Sequence, residues 1–305
     1  MIGRVRRIDI VGRTLAILAL SAAALLASAS SSAVVSAVDD AGARIELVQP
    51  AARVISLAPH VTEQLFAIGA GDRIVGTTEF ADYPVAAQRI PRVGRAHSVD
   101  LERIARLKPD LIVIWGSGFP PGTVDAVRRL GTPVFVSEPR ALDDVASSMQ
   151  RLGVLTGRDG TPAATAFRDK IEALRARYAD RRPVRVFYQV WAAPLMTLSG
   201  RHVISEAIAL CGGRNVFADL APIAPQVSVE AVVAANPEAV LTAEPGARAS
   251  DALAMWQQFP SMAATRRGQF YTLDADRLNR HGPRLADEIG ALCVAIERTR
   301  ATSIK

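Results

Sequence analysis

The sequence predicts an α/β protein built as two Rossmann-like lobes joined by one long backbone helix. Three observations carry that reading. Short apolar runs alternate with helical patterns, the second half repeats wording of the first, and a charged amphipathic segment lies between them. Alternation of this kind is the signature of parallel βα units.

The chain opens on Arg4, Arg6, Arg7 and Arg13, followed by an apolar stretch from Leu15 to about Ala29. That is the layout of a secretory signal peptide. Ser21 and Ser28 interrupt the stretch, and it is shorter than the roughly 20 apolar residues a bilayer span needs. Cleavage is expected after Ala29 or after Ala37, with Ala37 preferred because Val35-Ser36-Ala37 leads into the charged Val38-Asp39-Asp40. No cysteine lies near either site to take a lipid, so the mature chain is expected to be free in an oxidising compartment. The expected boundaries are 1–37 for the leader, 38–158 for a first lobe, 159–182 for a connecting helix and 183–305 for a second lobe.

In the first lobe, residues 54–57, 74–77, 111–115 and 134–136 read as strands, and 62–68, 101–107, 123–130 and 142–155 as helices. Thr161-Pro162 then opens the amphipathic segment, with Phe167, Ile171, Leu174 and Tyr178 on one face and no further Gly or Pro before Arg181-Arg182-Pro183 stops it. Pro162 suits the first helical position and Thr161 the cap. Such a helix spans about 27 Å, and as a stiff connector it resists large hinge closure. The second lobe offers strands at 184–190, 239–242 and 270–273 and helices at 205–210, 228–235, 252–257 and 283–298.

The repeated wording is specific. Asp100-Leu101-Glu102 followed by Lys108-Pro109-Asp110-Leu111 parallels Ser228-Val229-Glu230 followed by Asn236-Pro237-Glu238-Ala239. In each, an acid stands seven residues before a proline that ends a helix just ahead of a buried strand. This spacing implies an internal duplication.

Composition narrows the function classes. The chain has 36 basic and 30 acidic residues; losing residues 1–37 takes out four Arg and one Asp, leaving 32 against 29. A surplus of three with no Lys/Arg block gives no footprint for nucleic acid. Cys211 and Cys293 are the only cysteines; in an exported chain they form a disulfide or stay as buried thiols. As a disulfide they would contribute about 4 kcal/mol in the chain-entropy account.

Arg53-Val54-Ile55-Ser56-Leu57 with Glu63, Ala81-Asp82-Tyr83-Pro84, and Leu101-Glu102-Arg103-Ile104 through Lys108-Pro109-Asp110-Leu111 resemble the helical-backbone (class III) periplasmic binding proteins. That class serves ABC importers of cobalamin, haem and iron-siderophores. Leu210-Cys211-Gly212-Gly213-Arg214-Asn215-Val216-Phe217, Pro225-Gln226-Val227-Ser228 and Leu292-Cys293 are similar to its cobalamin-binding branch. The resemblance runs from about Arg53 to Arg298. It implies a monomeric periplasmic receptor, a cleft between the lobes for cobalamin or a related corrinoid, and a membrane permease as partner. Haem or a ferric siderophore is the alternative ligand. It also implies the Cys211–Cys293 disulfide, aromatic cleft contacts at Phe80, Trp115 and Trp191, and ligand hydrogen bonds from Asp276 and Arg280. Broad flat side chains suit an apolar macrocycle, although Asp276 and Arg280 also fit a simple i,i+4 ion pair.

Glu102 and Glu230 sit where a carboxylate gains a few tenths of a kcal/mol from the helix dipole. The resemblance implies a second role, docking into arginines of the permease. Two tryptophans of the class are replaced here by Ala96 and Ala224, which predicts a wider and less aromatic pocket. His60, His97, His202 and His281 show no zinc-ligand spacing; His97, beside Ala96, and His281, beside Arg280, are placed to reach a metal-centred ligand. No nucleophile elbow surrounds Ser117 and no phosphate loop is present, so the sequence reads as a binding protein without a cofactor of its own and not as an enzyme.

Overall fold

A computed structural model describes residues 34–95, 98–243 and 252–302; Ala96 and His97 lie outside the described residues. The described residues open with a hairpin, β1 (Val35–Val38) and β2 (Arg44–Leu47), paired antiparallel with Ala37 opposite Ile45. The first lobe then supplies β3 (Val54–Leu57), β4 (Ile74–Thr78), β5 (Arg92–Arg95), β6 (Ser98–Val99), β7 (Leu111–Trp115) and β8 (Val134–Ser137). Their order across the sheet is β6-β5-β4-β3-β7-β8, parallel except for the β5–β6 pair. The second lobe holds β9 (Val184–Gln189), a small hairpin of β10 (Trp191–Ala192) and β11 (Leu195–Met196), then β12 (Gly213–Asn215), β13 (Ala239–Thr242) and β14 (Phe270–Thr272). Its sheet runs β12-β9-β13-β14, all parallel.

The central strands are buried nearly throughout because helices cover both faces. Side chains alternate between two clusters: Val54, Leu111 and Val113 face one, Ile55, Ile112 and Ile114 the other. In the second lobe Val184, Val186 and Tyr188 join the first cluster, while Phe187 and Val240 pack with Trp256. Trp256 is fully buried and its indole N–H donates to Gln189 Oε1 at 2.7 Å.

The two lobes share more than their strand order. Helix Leu101–Arg106 is capped by Asp100, whose carboxylate accepts the Arg103 amide, and helix Val229–Ala235 by Ser228, whose hydroxyl accepts the Ala231 amide. Lys108 (φ 45°) and Asn236 (φ 46°) then turn left-handed, each directly before a proline. The acid that follows the proline holds the start of the neighbouring strand: Asp110 accepts the Ala52 and Arg53 amides, and Glu238 accepts the Arg185 amide. Arg53 in turn donates to the Leu107 and Lys108 carbonyls, and Arg185 to that of Asn236. The expected duplication is therefore written in matching hydrogen bonds.

The connecting helix spans Thr161–Tyr178, 18 residues. It begins one residue earlier than expected: Thr161 is its first helical residue, Gly160 its cap, and Asp159 accepts the Thr161 amide. Phe167, Ile171 and Tyr178 are buried. Arg168 pairs with Asp143 of the first lobe and Lys170 with Asp287 of the C-terminal helix Leu285–Thr302, so the helix is fastened to both lobes. Cys211 and Cys293 are bonded, with an S–S distance of 1.98 Å across 82 residues of sequence.

The preferred leader boundary after Ala37 cuts through β1. That strand is held by the Arg44 Nη2 bond to Ser36 Oγ at 2.8 Å and by its ladder to β2. Asp39 and Asp40 beside it accept the Val136 and Glu138 amides, and Arg151 pairs with Asp40 at 2.6 Å. Val35 to Ala37 are thus paired within the described fold, and a cut after Ala37 would remove most of β1.

Candidate ligand-binding cleft

In a parallel α/β sheet, ligands collect where neighbouring strands lead in opposite directions, beyond their carboxyl ends. Here β3 and β7 form that switch in the first lobe, and β9 and β13 in the second. The residues just past these ends are Ala58-Pro59-His60, Trp115, Val190-Trp191 and Ala243, and they converge. One cavity of about 430 Å³ is lined by Trp115, Tyr188, Val190, Trp191, Leu198, Ala243, Asn279, His202 and His281, among others. A second, of about 650 Å³, shares Trp115, Val190, Leu198, His202 and His281 with it and extends past Asp40, Glu138, Arg201 and Ala224. The two are parts of one cleft.

Trp115 ends β7 with its ring on the wall common to both cavities and its Nε1 buried without a partner. The reason for Gly116-Ser117-Gly118 is visible at Gly118, where an added Cβ would lie 2.4 Å from the indole. Glu138 fastens the loop by accepting the Ser117 amide and hydroxyl at 2.7 and 2.8 Å. Trp191 stands on the β10–β11 hairpin, lines the smaller cavity and is 56 % exposed. Phe80 is 61 % exposed and left-handed at φ 65°, a strained conformation for a bulky residue; it is not part of either cavity wall.

Asp276 and Arg280 are joined at 2.8 Å but do not line the cleft. Arg280 also donates to Asp82 at 2.7 Å and to Glu63 at 3.4 Å, and Arg284 reaches the same Glu63 carboxylate at 2.6 and 2.9 Å. Glu63 and Asp82 belong to the first lobe and the arginines to the second, so this ion cluster bridges the lobes. Glu63 is a buried carboxylate that needs cations, and Arg284 supplies the closer one while Arg280 is held mainly by Asp82 and Asp276. Gln64 adds a bond from its Nε2 to the His281 carbonyl at 2.9 Å.

Three of the four histidines meet at the cleft. His281 lies 5.6 Å from His202 and 6.1 Å from His60 by ring centroid, and His60 is edge-on to Trp115 at 5.4 Å. Burial holds His60 down at about 3 and His202 at about 4, and pushes His281 well below the usual histidine range, with the other two imidazoles adding to it. All three are neutral at pH 7. Tyr188, also on the cavity wall, is raised by burial and by the Glu288 charge, so its phenol stays protonated. The smaller cavity is an uncharged, aromatic surface with imidazole and amide groups, and charged side chains enter only around the larger one, at Asp40, Glu138, Arg140 and Arg201.

The contributions of Tyr188, Leu198, His202 and Asn279 were not assigned from the sequence. Tyr188 and Val190 carry a signal, since both follow the period of two toward the end of β9; His202 reaches the cleft from a helix cap, which no spacing reveals. Glu102 and Glu230 occupy the same second position of equivalent helices on exposed surface, with Glu102 paired to Arg106 at 2.7 Å.

Residues 54–277 match the sequence profile of the family described as periplasmic binding protein. The vitamin B12-binding protein of Vibrio cholerae serotype O1 is 38% identical over 250 residues, covering 81% of this chain and 90% of that protein. Among solved structures, the periplasmic vitamin B12 binding protein BtuF of Vibrio cholerae superposes with a TM-score of 0.73 at 37% identity, over 82% of this chain and 98% of that one. The periplasmic heme-binding protein RhuT from Roseiflexus sp. RS-1 gives 0.71 at 25% identity, over 81% and 98%.

Proposed function

The chain belongs to the periplasmic binding protein family, and from that premise we propose that it captures cobalamin or a related corrinoid in the periplasm and delivers it to the permease of an ABC importer. The observation that carries this is the cleft itself: both topological switch points open onto a space whose smaller cavity is apolar and uncharged, faced by Trp115, Trp191 and Tyr188. Flat rings of this kind bury large areas of a macrocycle at small entropic cost. Trp115 stacks on the ligand, while Trp191 and Phe80 close over its edge. Ala224 on the wall of the larger cavity leaves room that a tryptophan would fill. Arg280 acts one step away, holding the lobes at the separation the ligand requires.

The leader is removed after Ala29, the protein acts as a monomer, and Glu102 and Glu230 present one acid from each lobe to arginines of the permease. Charged pairs of this type fix register and speed association. The protein carries its ligand and does no chemistry on it. The test is a tryptophan-fluorescence titration with cobalamin, cobinamide and haem: saturable quenching by a corrinoid at sub-micromolar concentration is expected. Saturation by haem or a ferric siderophore alone would move the assignment to that ligand.

A further inference from the structure

An apolar macrocycle needs no imidazoles, yet His202 and His281 stand on the cleft wall with His60 packed behind them. Among the described residues, no group of three ligating side chains is placed to hold a metal ion by itself. A metal bound here therefore arrives inside its own ring of nitrogens and needs one protein ligand at most. Two of the imidazoles are already committed. His60 Nε2 is bonded to Ser137 Oγ at 3.2 Å, and His202 Nδ1 accepts the Ile204 amide at 3.1 Å as the cap of its helix. His281 differs from both. It lines both cavities, its Nδ1 is buried without a hydrogen-bond partner, and its backbone is fixed by Gln64. Trp115 at 6.2 Å and His202 at 5.6 Å wedge the ring from two sides. An unpaired buried nitrogen is rare in folded proteins and asks for an explanation; neutral imidazole is the commonest protein ligand to transition metals.

We propose that His281 supplies an axial nitrogen to the cobalt of the bound corrinoid, a reading that rests on the corrinoid assignment above. A lone pair of the imidazole forms the Co–N bond as a water leaves the metal, with no change of oxidation state. The ligand that fits best is a corrinoid whose axial position is open, such as cobinamide, which has no nucleotide base of its own.

The experiment loads the full mature protein with cobinamide, reduces cobalt to the +2 state and records its electron paramagnetic resonance spectrum. Each cobalt line should split into three from one nitrogen-14 nucleus, and into two when the protein is labelled with nitrogen-15 histidine. His281→Gln should lose the splitting and bind cobinamide about tenfold more weakly by fluorescence quenching, whereas His202→Gln should keep it. Unsplit lines in the unmutated protein with cobinamide demonstrably bound would overturn the ligation and leave the corrinoid reading standing. Splitting that survives in His281→Gln would overturn the residue assignment. Failure of any corrinoid to quench fluorescence would remove both.

Discussion

Replacing Glu63 by Gln keeps its shape and removes one charge, so the response isolates the ion cluster between the lobes. The Glu63 side chain is 2 % exposed, and those of Arg280 and Arg284 are 10 % and 19 % exposed. Arg280 would keep Asp82 and Asp276. Arg284 would lose the carboxylate it grips with two nitrogens and keep the Asp276 carbonyl at 3.3 Å and the Tyr83 ring at 4.0 Å. Removing one partner of a buried pair costs about 3–5 kcal/mol because the remaining charge is stranded; the partial exposure of Arg284 favours the lower end. At 2–4 °C per kcal/mol for a chain of this size, Tm should fall by roughly 6–12 °C. Circular dichroism melts at pH 7.5 would measure it. The loss should persist in 0.5 M salt, unlike that of an exposed pair. Adding Arg284→Met should recover part of it, since the stranded cation is gone. A fall of less than 2 °C for Glu63→Gln, or a further loss on adding Arg284→Met, would refute the claim that this buried cluster ties the lobes together.

Trp115→Ala should weaken corrinoid binding by about 1–3 kcal/mol in a quenching or calorimetric titration, if the ring stacks on ligand as argued; unchanged affinity would leave it a wall residue only. His60 and His202 have folded pKa values near 3 and 4, below the unfolded value of about 6.5. The unfolded chain therefore binds more protons below pH 6.5, and stability falls as pH drops through that value toward the folded ones. The two together remove about 4 kcal/mol between pH 7 and pH 5. Urea midpoints should show this slope, steepened further by His281, and the His60→Gln, His202→Gln double variant should keep only the His281 share. Reducing the Cys211–Cys293 bond should lower stability by about 4.5 kcal/mol for an 82-residue separation, read as a shift of the urea midpoint with dithiothreitol. Changing Glu102 and Glu230 together to Lys should stop uptake through the importer with ligand affinity and Tm nearly intact, because exposed helix-start acids contribute under about 1 kcal/mol each to folding; transport at the parent rate would make them helix-start residues and nothing more.

Much of this architecture was legible because its long elements speak in strong periods. The buried strands from Val54 to Leu57 and from Leu111 to Trp115 are continuous apolar runs, and the connecting helix repeats its apolar face from Phe167 to Tyr178. The short elements were not legible. β1 and β2 hold four residues each and gain their stability from Asp39 and Asp40, whose partners at Val136 and Glu138 lie 97 and 98 residues away in sequence. The pairing of Val35-Ser36-Ala37 was not legible for the same reason: small residues there read as a cut site when the contacts that enlist them are distant. At the cleft, Trp115 and Trp191 could be placed because strands end there. The bonds of Arg280 across the lobes could not, since Glu63 lies 217 residues away. The meeting of His60, His202 and His281 is a product of lobe against lobe and has no trace in their spacing.

The apolar cluster that begins at Ile45 in the hairpin and includes Val54, Phe167 and Ile171 continues without a break to Val184 and Ile296. Two sheets and a connecting rod suggest units that melt one after the other, and each lobe does keep a cluster of its own, around Ile112 in the first and Trp256 in the second, yet the other face of each sheet is packed into this shared cluster. Peeling one lobe away would expose half the interior of the other, together with the buried face of the rod. The molecule should behave as one folding unit: a single heat-absorption peak whose van't Hoff and calorimetric enthalpies agree, and no soluble product when either half of the gene is expressed alone. Duplication supplied two copies of a plan, and the shared interior made them one object.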